Sequence, residues 1–240
     1  MSESEVTRVG FISHSDQQGP HHDRLLTLVP AGVAVEVQPM GGGVRSQHSM
    51  GDVEAQVARA RAIADEHRWQ AVACTGAPTQ MDNPGYLERM REGLDIPVTT
   101  AAEASGAALR ALGCRRALLL TPFQRSMNQK IAAYLGTLGV EAVLAERDFE
   151  RVDDAIALST DEVYDFAAQA FGAAGRVDAV YFQGAVLDPL PVLDRLESDL
   201  GVPAVASNPA MLWHTLSLLG KRYSIANAGR VLRDWPVVPA

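Results

Sequence analysis

Short apolar runs alternate along the chain with longer amphipathic segments. The runs are rich in β-branched and small residues and have the length of buried strands, whereas the segments between them carry apolar residues three and four positions apart. The predicted strands cover residues 8–13, 33–38, 71–74, 97–100, 117–121, 141–145, 177–183 and 204–206. The clearest predicted helices cover residues 52–67, 103–112, 126–138, 160–173 and 209–219. This alternation predicts an α/β protein with parallel sheets flanked by helices.

The pattern repeats once, weakly. A strand, a glycine-containing turn, a helix and a second strand preceded by proline occur over residues 71–104 and again over 177–209. The repeat pairs Cys74 with Gly184, 110 residues further on. We therefore expect two similar Rossmann-like halves, the first formed by residues 1–112 with 208–240 and the second by residues 113–207. Because ligands collect beyond the carboxyl ends of parallel strands, the active site is expected in the cleft between these halves.

Composition narrows the class of partner. The 240 residues are 47% hydrophobic, which is enough for a sizeable core, and the net charge is -8 with no cluster of lysine and arginine. Nucleic acid and anionic membrane surfaces are therefore not expected as partners, and a small molecule is. No apolar stretch approaches the roughly 20 residues of a membrane span. The first five residues lack the basic and apolar regions of a secretory signal, so a cytoplasmic protein is expected.

Signals for cofactors and metals are lacking in the sequence. The glycines at 41–43 do not form a dinucleotide fingerprint, and no phosphate-binding loop is present. The six histidines have no spacing typical of metal ligands. The two cysteines form no disulfide framework, so each is either buried or reactive. We expect neither a cofactor nor a metal, and the sequence leaves self-association into a homo-oligomer open.

Several short motifs occur along the chain in a specific order and spacing. They are Val9-Gly10-Phe11-Ile12, Val29-Pro30-Ala31-Gly32-Val33, Ala73-Cys74-Thr75, Thr121-Pro122-Phe123, Leu190-Pro191-Val192 and Ser207-Asn208-Pro209. In this order they resemble the aspartate/glutamate racemase superfamily, and within it the branch of maleate cis-trans isomerases and arylmalonate decarboxylases. The resemblance extends over nearly the whole chain.

The resemblance implies thiol chemistry. Members of this superfamily carry one cysteine after each of two strands, and the two thiols exchange protons with a bound substrate. In the isomerases the first cysteine is implied to add to the substrate double bond, and Cys74 matches that position, while Gly184 matches the second. The decarboxylases have the reverse pattern. A single thiol argues against symmetric racemisation and leaves covalent addition or one-sided protonation.

The residues beside Cys74 are candidates for substrate binding. Thr75 offers a hydroxyl and a backbone N–H to a carboxylate, or else only completes a turn. Gly76 follows it, and a helix that starts nearby would add amide groups able to hold an anionic oxygen. The alternative for Cys74 is a small buried hydrophobe, as most free cysteines are. For Cys114, at a helix-to-strand connection, that structural alternative is expected.

Other candidates come from the resemblance. The tyrosine of the family's Thr-Pro-Tyr motif is Phe123 here, so one hydrogen-bond donor is missing, and Asn128 lies either at the margin of the site or in the packing of its helix. After the first strand, Gln17 is a substitute for a functional asparagine of the isomerases, and His14 is a candidate acid or base. Gly184 and Ala185 are expected to line the site, and the missing side chain at 184 to leave space for a bulkier substrate.

The function that these residues predict is that of a cofactor-independent isomerase or lyase. It would act on a small carboxylate or carbonyl compound through Cys74, by covalent addition as in a maleate isomerase. Two alternatives stay open. One is decarboxylation with protonation from one face, and the other is a small-molecule binder that has lost catalysis.

Overall fold

The computed structural model describes residues 6–13, 19–40 and 53–239. Over these ranges the chain alternates strands with helices and divides into two compact units. The strands are β1 Thr7–Ser13, β2 Val33–Pro39, β3 Ala71–Cys74, β4 Val98–Thr100, β5 Arg116–Leu120, β6 Glu141–Leu144, β7 Ala179–Phe182 and β8 Ala204–Ala206. The helices are α1 Pro20–Leu26, α2 Val53–His67, α3 Ala77–Asp82, α4 Tyr86–Gly93, α5 Ala101–Ala111, α6 Arg125–Thr137, α7 Val152–Ile156, α8 Thr160–Ala173, α9 Leu193–Leu200, α10 Ser207–Leu218 and α11 Gly229–Asp234.

The first unit comprises Met1–Ala101 and Thr215–Arg222. Its four strands are parallel and lie in the order β2-β1-β3-β4. Apolar residues of β1, β3 and β4 form one core cluster with residues of α2 and α4, and Trp69 belongs to the same cluster. All four residues of β3 are buried, so both faces of the strand are covered, which explains why β3 is apolar throughout.

The second unit comprises Ala102–His214 and Tyr223–Ala240. Its four parallel strands lie in the order β6-β5-β7-β8, which is the order of the first unit applied to the next four strands. Alternate residues of β5 and β7 pack with α8 and α9 in a second core cluster. The two matching sheets confirm the predicted α/β fold of two similar halves.

Most of the C-terminal segment groups with the second unit, since Tyr223–Ala240 and the start of α10 belong to it while Thr215–Arg222 belongs to the first. The sequence prediction assigned all of residues 208–240 to the first half. Two contacts hold the C-terminal segment in the second unit. The indole of Trp213 donates a hydrogen bond from Nε1 to the carbonyl of Pro236, at 3.0 Å. The buried carboxylate of Glu197 accepts from the backbone N–H of Ala204 and from that of Arg230, each at 3.0 Å. One side chain of α9 thus joins the start of β8 to the start of α11.

The strand ladders define which positions of the two units are equivalent. In the first unit Ile12, Cys74 and Thr100 lie side by side, and in the second unit Leu120, Phe182 and Ala206 do. Cys74 therefore corresponds to Phe182, at a spacing of 182 minus 74, or 108 residues. The predicted spacing of 110 was wrong by two residues. One residue arises because β7 ends at Phe182 and not at 183, and the other because Cys74 is the last residue of its strand whereas Gly184 was placed just beyond its strand. By the same register Gly184 corresponds to Gly76.

The eight predicted strands all form, with ends that shift by at most a few residues. The five predicted helices are observed as α2, α5, α6, α8 and α10. The start of α8 has a clear cause in the sequence, since the Ser159 hydroxyl accepts from the N–H of Glu162, whose carboxylate accepts in return from the N–H of Ser159. None of the helices in the described ranges is long and apolar enough to cross a bilayer.

A glycine in β1 makes room for a large aromatic ring. A Cβ atom built on Gly10 would lie 2.0 Å from Cε3 of Trp69, whose side chain is 4% exposed. Real Cβ atoms do not approach a ring so closely, so any larger residue at this position must displace the indole. The glycine is therefore required by packing and not by backbone conformation.

We predict that Gly10→Ala lowers the free energy of unfolding by about 1–3 kcal/mol, because overpacking a closed core forces side chains off their positions. The matched control is Gly172→Ala, since a Cβ at Gly172 in α8 meets nothing within 4 Å. Alanine suits a helix better than glycine, so the control should leave stability unchanged or raise it. Urea unfolding of both variants measures the difference, and equal midpoints would contradict the packing argument.

Candidate active site

Cys74 is the last residue of β3 and its side chain is buried. It is 2% exposed and belongs to the core cluster that contains Ile12, Val72 and Val98. Side chains two apart in a strand lie on the same face, so the thiol lies on the face of the sheet that α2 and α4 cover. The thiol is thus at the carboxyl edge of the sheet but beneath the turn that follows β3.

Tyr86 is the polar partner of this thiol. The phenol is 1% exposed, and its hydroxyl donates a hydrogen bond to the Cys74 sulfur. Burial in the core, and then the proximity of Cys74, raises the pKa of Tyr86 well above its usual value. The phenol therefore stays protonated at physiological pH and acts as a donor. Gly85, in the left-handed conformation at φ +78°, precedes this first residue of α4.

Sequence reasoning missed Tyr86. In the sequence it precedes Leu87 and Met90 on the apolar face of a short helix, which is the pattern of a core aromatic residue. Its contact with Cys74 depends on how α4 packs against the sheet. The turn signal Asn83-Pro84-Gly85 indicates only that a new element starts there.

A second polar pair lies on the same face of the sheet. Thr100, at the end of β4, is the strand partner of Cys74, so the two side chains point to the same side. The Thr100 hydroxyl donates to Oε1 of Gln80 in α3, at 2.6 Å. The sequence did not predict this pair, because neither residue belongs to one of the motifs named above.

Thr75 and Gly76 form the turn between β3 and α3. The N–H of Thr75 donates to the carbonyl of Ile12 at 2.9 Å and so continues the strand ladder. The prediction that this N–H is available to a substrate carboxylate was therefore wrong. The hydroxyl of the half-buried Thr75 has no hydrogen-bond partner within the described parts of the chain. Gly76 has φ +83° and ψ +87°, a conformation that favours glycine.

Gly184 begins the corresponding turn after β7. Its φ of +107° and ψ of +105° resemble those of Gly76, and the half-buried Ala185 starts the short 3-10 turn that follows. A Cβ atom at Gly184 would lie 2.6 Å from Cδ of Pro122 and 3.4 Å from Cζ of Phe123. The structure thus brings Phe123 and Gly184 together, as the resemblance implied. The expected space at position 184 was wrong, because the ring of Pro122 already fills it.

Asn128 makes hydrogen bonds that hold the loop before α6. Its amide nitrogen donates to the carbonyl of Phe123 at 3.2 Å and to Oδ1 of Asp148 at 2.9 Å, and its amide oxygen accepts from the Thr121 hydroxyl. Asp148 in turn pairs with Arg125 at 2.7 Å. Of the two roles expected for Asn128, these contacts fit packing of its helix. They position Pro122 and Phe123 against Gly184.

The remaining candidates fall into two groups. His14, Gln17 and the glycines at 41–43 lie outside the described residues. Cys114 is buried, and burial followed by the charge of Asp178 raises its pKa to about 11. It is therefore a protonated thiol at neutral pH, as expected for a structural cysteine. In the described ranges, no group of three or more His, Cys, Asp or Glu side chains is placed to hold a metal ion.

Comparisons with known proteins identify relatives of this chain. It is 34% identical over 151 residues to arylmalonate decarboxylase of Bordetella bronchiseptica, covering 58% of each protein. It is 30% identical over 145 residues to maleate isomerase of Nocardia farcinica, covering 60% of this chain and 57% of that enzyme. Both alignments span less than two thirds of the relative.

The fold similarity is more extensive. A crystal structure of arylmalonate decarboxylase superposes with a TM-score of 0.77 over 94% of this chain and 98% of that one, at 25% identity. A sequence profile of the arylmalonate decarboxylase family matches residues 52–232. That range includes β3 to β8 and therefore the strand-end turns of both units. The chain belongs to the arylmalonate decarboxylase family.

Proposed function

We propose that this protein is a cofactor-independent isomerase or lyase that acts on a small carboxylate through Cys74. The observation that carries the proposal is a free thiol at the carboxyl end of β3, hydrogen-bonded by a protonated phenol. A thiol becomes a nucleophile as the thiolate, and a buried O–H donor stabilises that form. Both classes of relative act on carboxylates according to their names.

The leading reaction is reversible covalent addition to an unsaturated dicarboxylate. The Cys74 thiolate forms a C–S bond, the carbon–carbon π bond breaks, and its electron pair moves into the neighbouring carboxylate as an enediolate. Rotation about the resulting single bond follows. When the electron pair returns, the double bond re-forms in the other geometry and the thiolate leaves. No redox step occurs, so no cofactor is needed.

Decarboxylation is the second candidate, because the matching family profile and the 34% identical relative are both those of arylmalonate decarboxylase. In this reaction the bond between the α-carbon and one carboxylate breaks and carbon dioxide leaves. The electron pair becomes the enediolate of the remaining carboxylate. Cys74, as the thiol, then donates a proton to the α-carbon from one side.

Two side chains of the first unit are suited to hold the substrate carboxylate. The hydroxyl of Thr75 lies one residue beyond Cys74, in the turn before α3. Gln80 has its amide oxygen engaged by Thr100, which orients the N–H groups of the same amide. Hydrogen bonds to a charged carboxylate are stronger than those between neutral groups.

A binder without catalysis has one observation in its favour. The resemblance implies a second thiol at position 184, and the chain carries glycine there. Proton exchange between two thiols is therefore lost. A binder would hold a carboxylate and leave it unchanged.

The cellular location is a further proposal. We propose the cytoplasm, a reducing compartment in which thiols persist. The support is that both cysteines are free.

We predict that Cys74→Ser reduces turnover at least about 10²–10⁴-fold, since a general acid or base of this kind contributes that much. Cys114→Ser is the matched control and should retain turnover, because Cys114 is a protonated structural thiol. The measurement is a panel of maleate and aryl-substituted malonates followed by proton magnetic resonance. Fumarate as product supports addition, and a monocarboxylate with carbon dioxide supports decarboxylation. Binding of a panel member with no product from the parent protein would favour the binder.

Thr75→Val should weaken substrate binding while the fold is kept. Loss of one hydrogen bond to a carboxylate is expected to raise KM about 10–100-fold, because such bonds contribute about 1.5–3 kcal/mol. Thr137→Val is the control, since the Thr137 hydroxyl donates to a carbonyl of its own helix, at Tyr134. The measurement is the KM of both variants in steady-state kinetics, on the substrate that the panel of maleate and malonates identifies. An unchanged KM would remove Thr75 from the site.

Gly184→Ala should destabilise the protein more than Gly201→Ala. Both glycines have positive φ, at +107° and +73°, but only Gly184 has the Pro122 ring against its Cβ position, whereas Gly201 has nothing within 4 Å. Backbone strain alone costs about 1–3 kcal/mol, and overpacking adds about 1–3 kcal/mol. Thermal and urea unfolding measure the two losses. Equal losses would show that Pro122 yields readily and that a second thiol at 184 is sterically feasible.

A further inference from the structure

Tyr86 and Cys74 form a buried pair whose contact bears on the reactivity of the thiol. Both side chains are almost fully buried, at 1% and 2% exposed. Around them the core cluster is apolar and includes Ile12, Met90 and Val98. A buried hydroxyl without a partner is costly, so the contact with the sulfur has a structural benefit in any case. The question is whether it also changes the chemistry of the thiol.

We propose that Tyr86 is a positioning residue that activates Cys74, by donating its O–H to the sulfur and so favouring the thiolate. This rests on the proposed function, in which Cys74 reacts. The step involves no transfer of the phenolic proton. When the thiol loses its proton to solvent or substrate, the negative sulfur accepts the O–H that already points to it.

The direction of the hydrogen bond follows from the surroundings. Burial and the adjacent sulfur both raise the pKa of Tyr86, so the phenol keeps its proton when the thiol ionises. Charged acceptors form stronger hydrogen bonds than neutral ones, and the effect grows where water is excluded. The contact is therefore stronger in the thiolate state than in the thiol state. That difference is what activates the sulfur.

Other charged groups on the packed elements have partners of their own. On α2, the guanidinium of Arg59 donates to the carbonyl of Met40 and that of Arg61 to the carbonyl of Gly93 and to Asp95. Asp82 ends α3 and is half-buried. On α4, Arg91 donates to the carbonyl of Val98. Among the described residues of these elements, Tyr86 is the titratable group that hydrogen-bonds Cys74.

The test measures the reactivity of one thiol and needs no substrate. In a Cys114→Ser background, the rate of iodoacetamide addition to Cys74 is followed by mass spectrometry from about pH 6 to about pH 9. Burial raises the pKa of a thiol and a donor to the sulfur lowers it, so the test lies in the difference between the variants. Adding Tyr86→Phe should move the midpoint upward and lower the rate at neutral pH about 10-fold or more, the effect of one hydrogen bond to a charged acceptor.

The matched control is Tyr164→Phe in the same background. Tyr164 also donates its hydroxyl to an acidic group, Asp199, but lies on α8 in the second unit. Its loss should leave the profile unchanged. An unshifted midpoint in a folded Tyr86→Phe variant overturns the proposal. If that variant does not fold by circular dichroism, Tyr86→Met in the same background takes its place, and an unshifted midpoint in that variant overturns the proposal.

The reactivity profile and the turnover measurements together distinguish failure of the Tyr86 proposal from failure of the proposed function. A shifted profile together with full turnover by Cys74→Ser would support the activation and refute the proposed function. An unshifted profile together with loss of turnover in Cys74→Ser would do the reverse. Loss of turnover and a shifted profile support both.

Discussion

The register of the parallel ladders determines how each unit presents its strand ends. Ile12, Cys74 and Thr100 lie in one row of the first sheet, and Leu120, Phe182 and Ala206 in the corresponding row of the second. After each row the chain continues for one residue in the ladder, since the N–H of Thr75 and that of Gln183 each donate to the neighbouring strand. Only then does the chain turn, at a glycine with positive φ. Thr75, Gly76, Gly184 and Ala185 take their positions from these two rows.

This register also sets the environment of the thiol. Had Cys74 come one residue later it would have pointed to the opposite face of the sheet, because strand side chains alternate. At its actual position it meets the first residue of α4 and shares a face with Thr100. The result is a sulfur in an apolar core with the Tyr86 hydroxyl as a donor beside it. A small hydrophobe and an activated thiol both fit such surroundings, and they differ in what the donor does when the sulfur ionises.

Much of the fold could be predicted from the sequence because periodic burial determines it. The strands at 71–74 and 204–206 and the helix at 160–173 follow directly from apolar spacing and from the capping pair of Ser159 and Glu162. One residue of the two-residue error in the repeat arose because Gln183 follows an apolar run and is buried like a strand residue, with the Tyr181 hydroxyl donating to its amide. The role of Tyr86 could not be predicted either, since no local pattern states which helix covers a strand end.

The close fit of Pro122 against Gly184 has a consequence for how sequences of this family can change. A side chain at 184 requires both another backbone conformation and a different position for the proline ring. The proline is held in turn through Thr121, Asn128 and Asp148, so the obstacle is spread over β5, α6 and the loop after β6. A side chain added at 184 therefore strains the turn unless the proline ring moves with it. The tolerance of one position thus depends on residues in three other segments, and changes that loosen the loop alter what position 184 can accept.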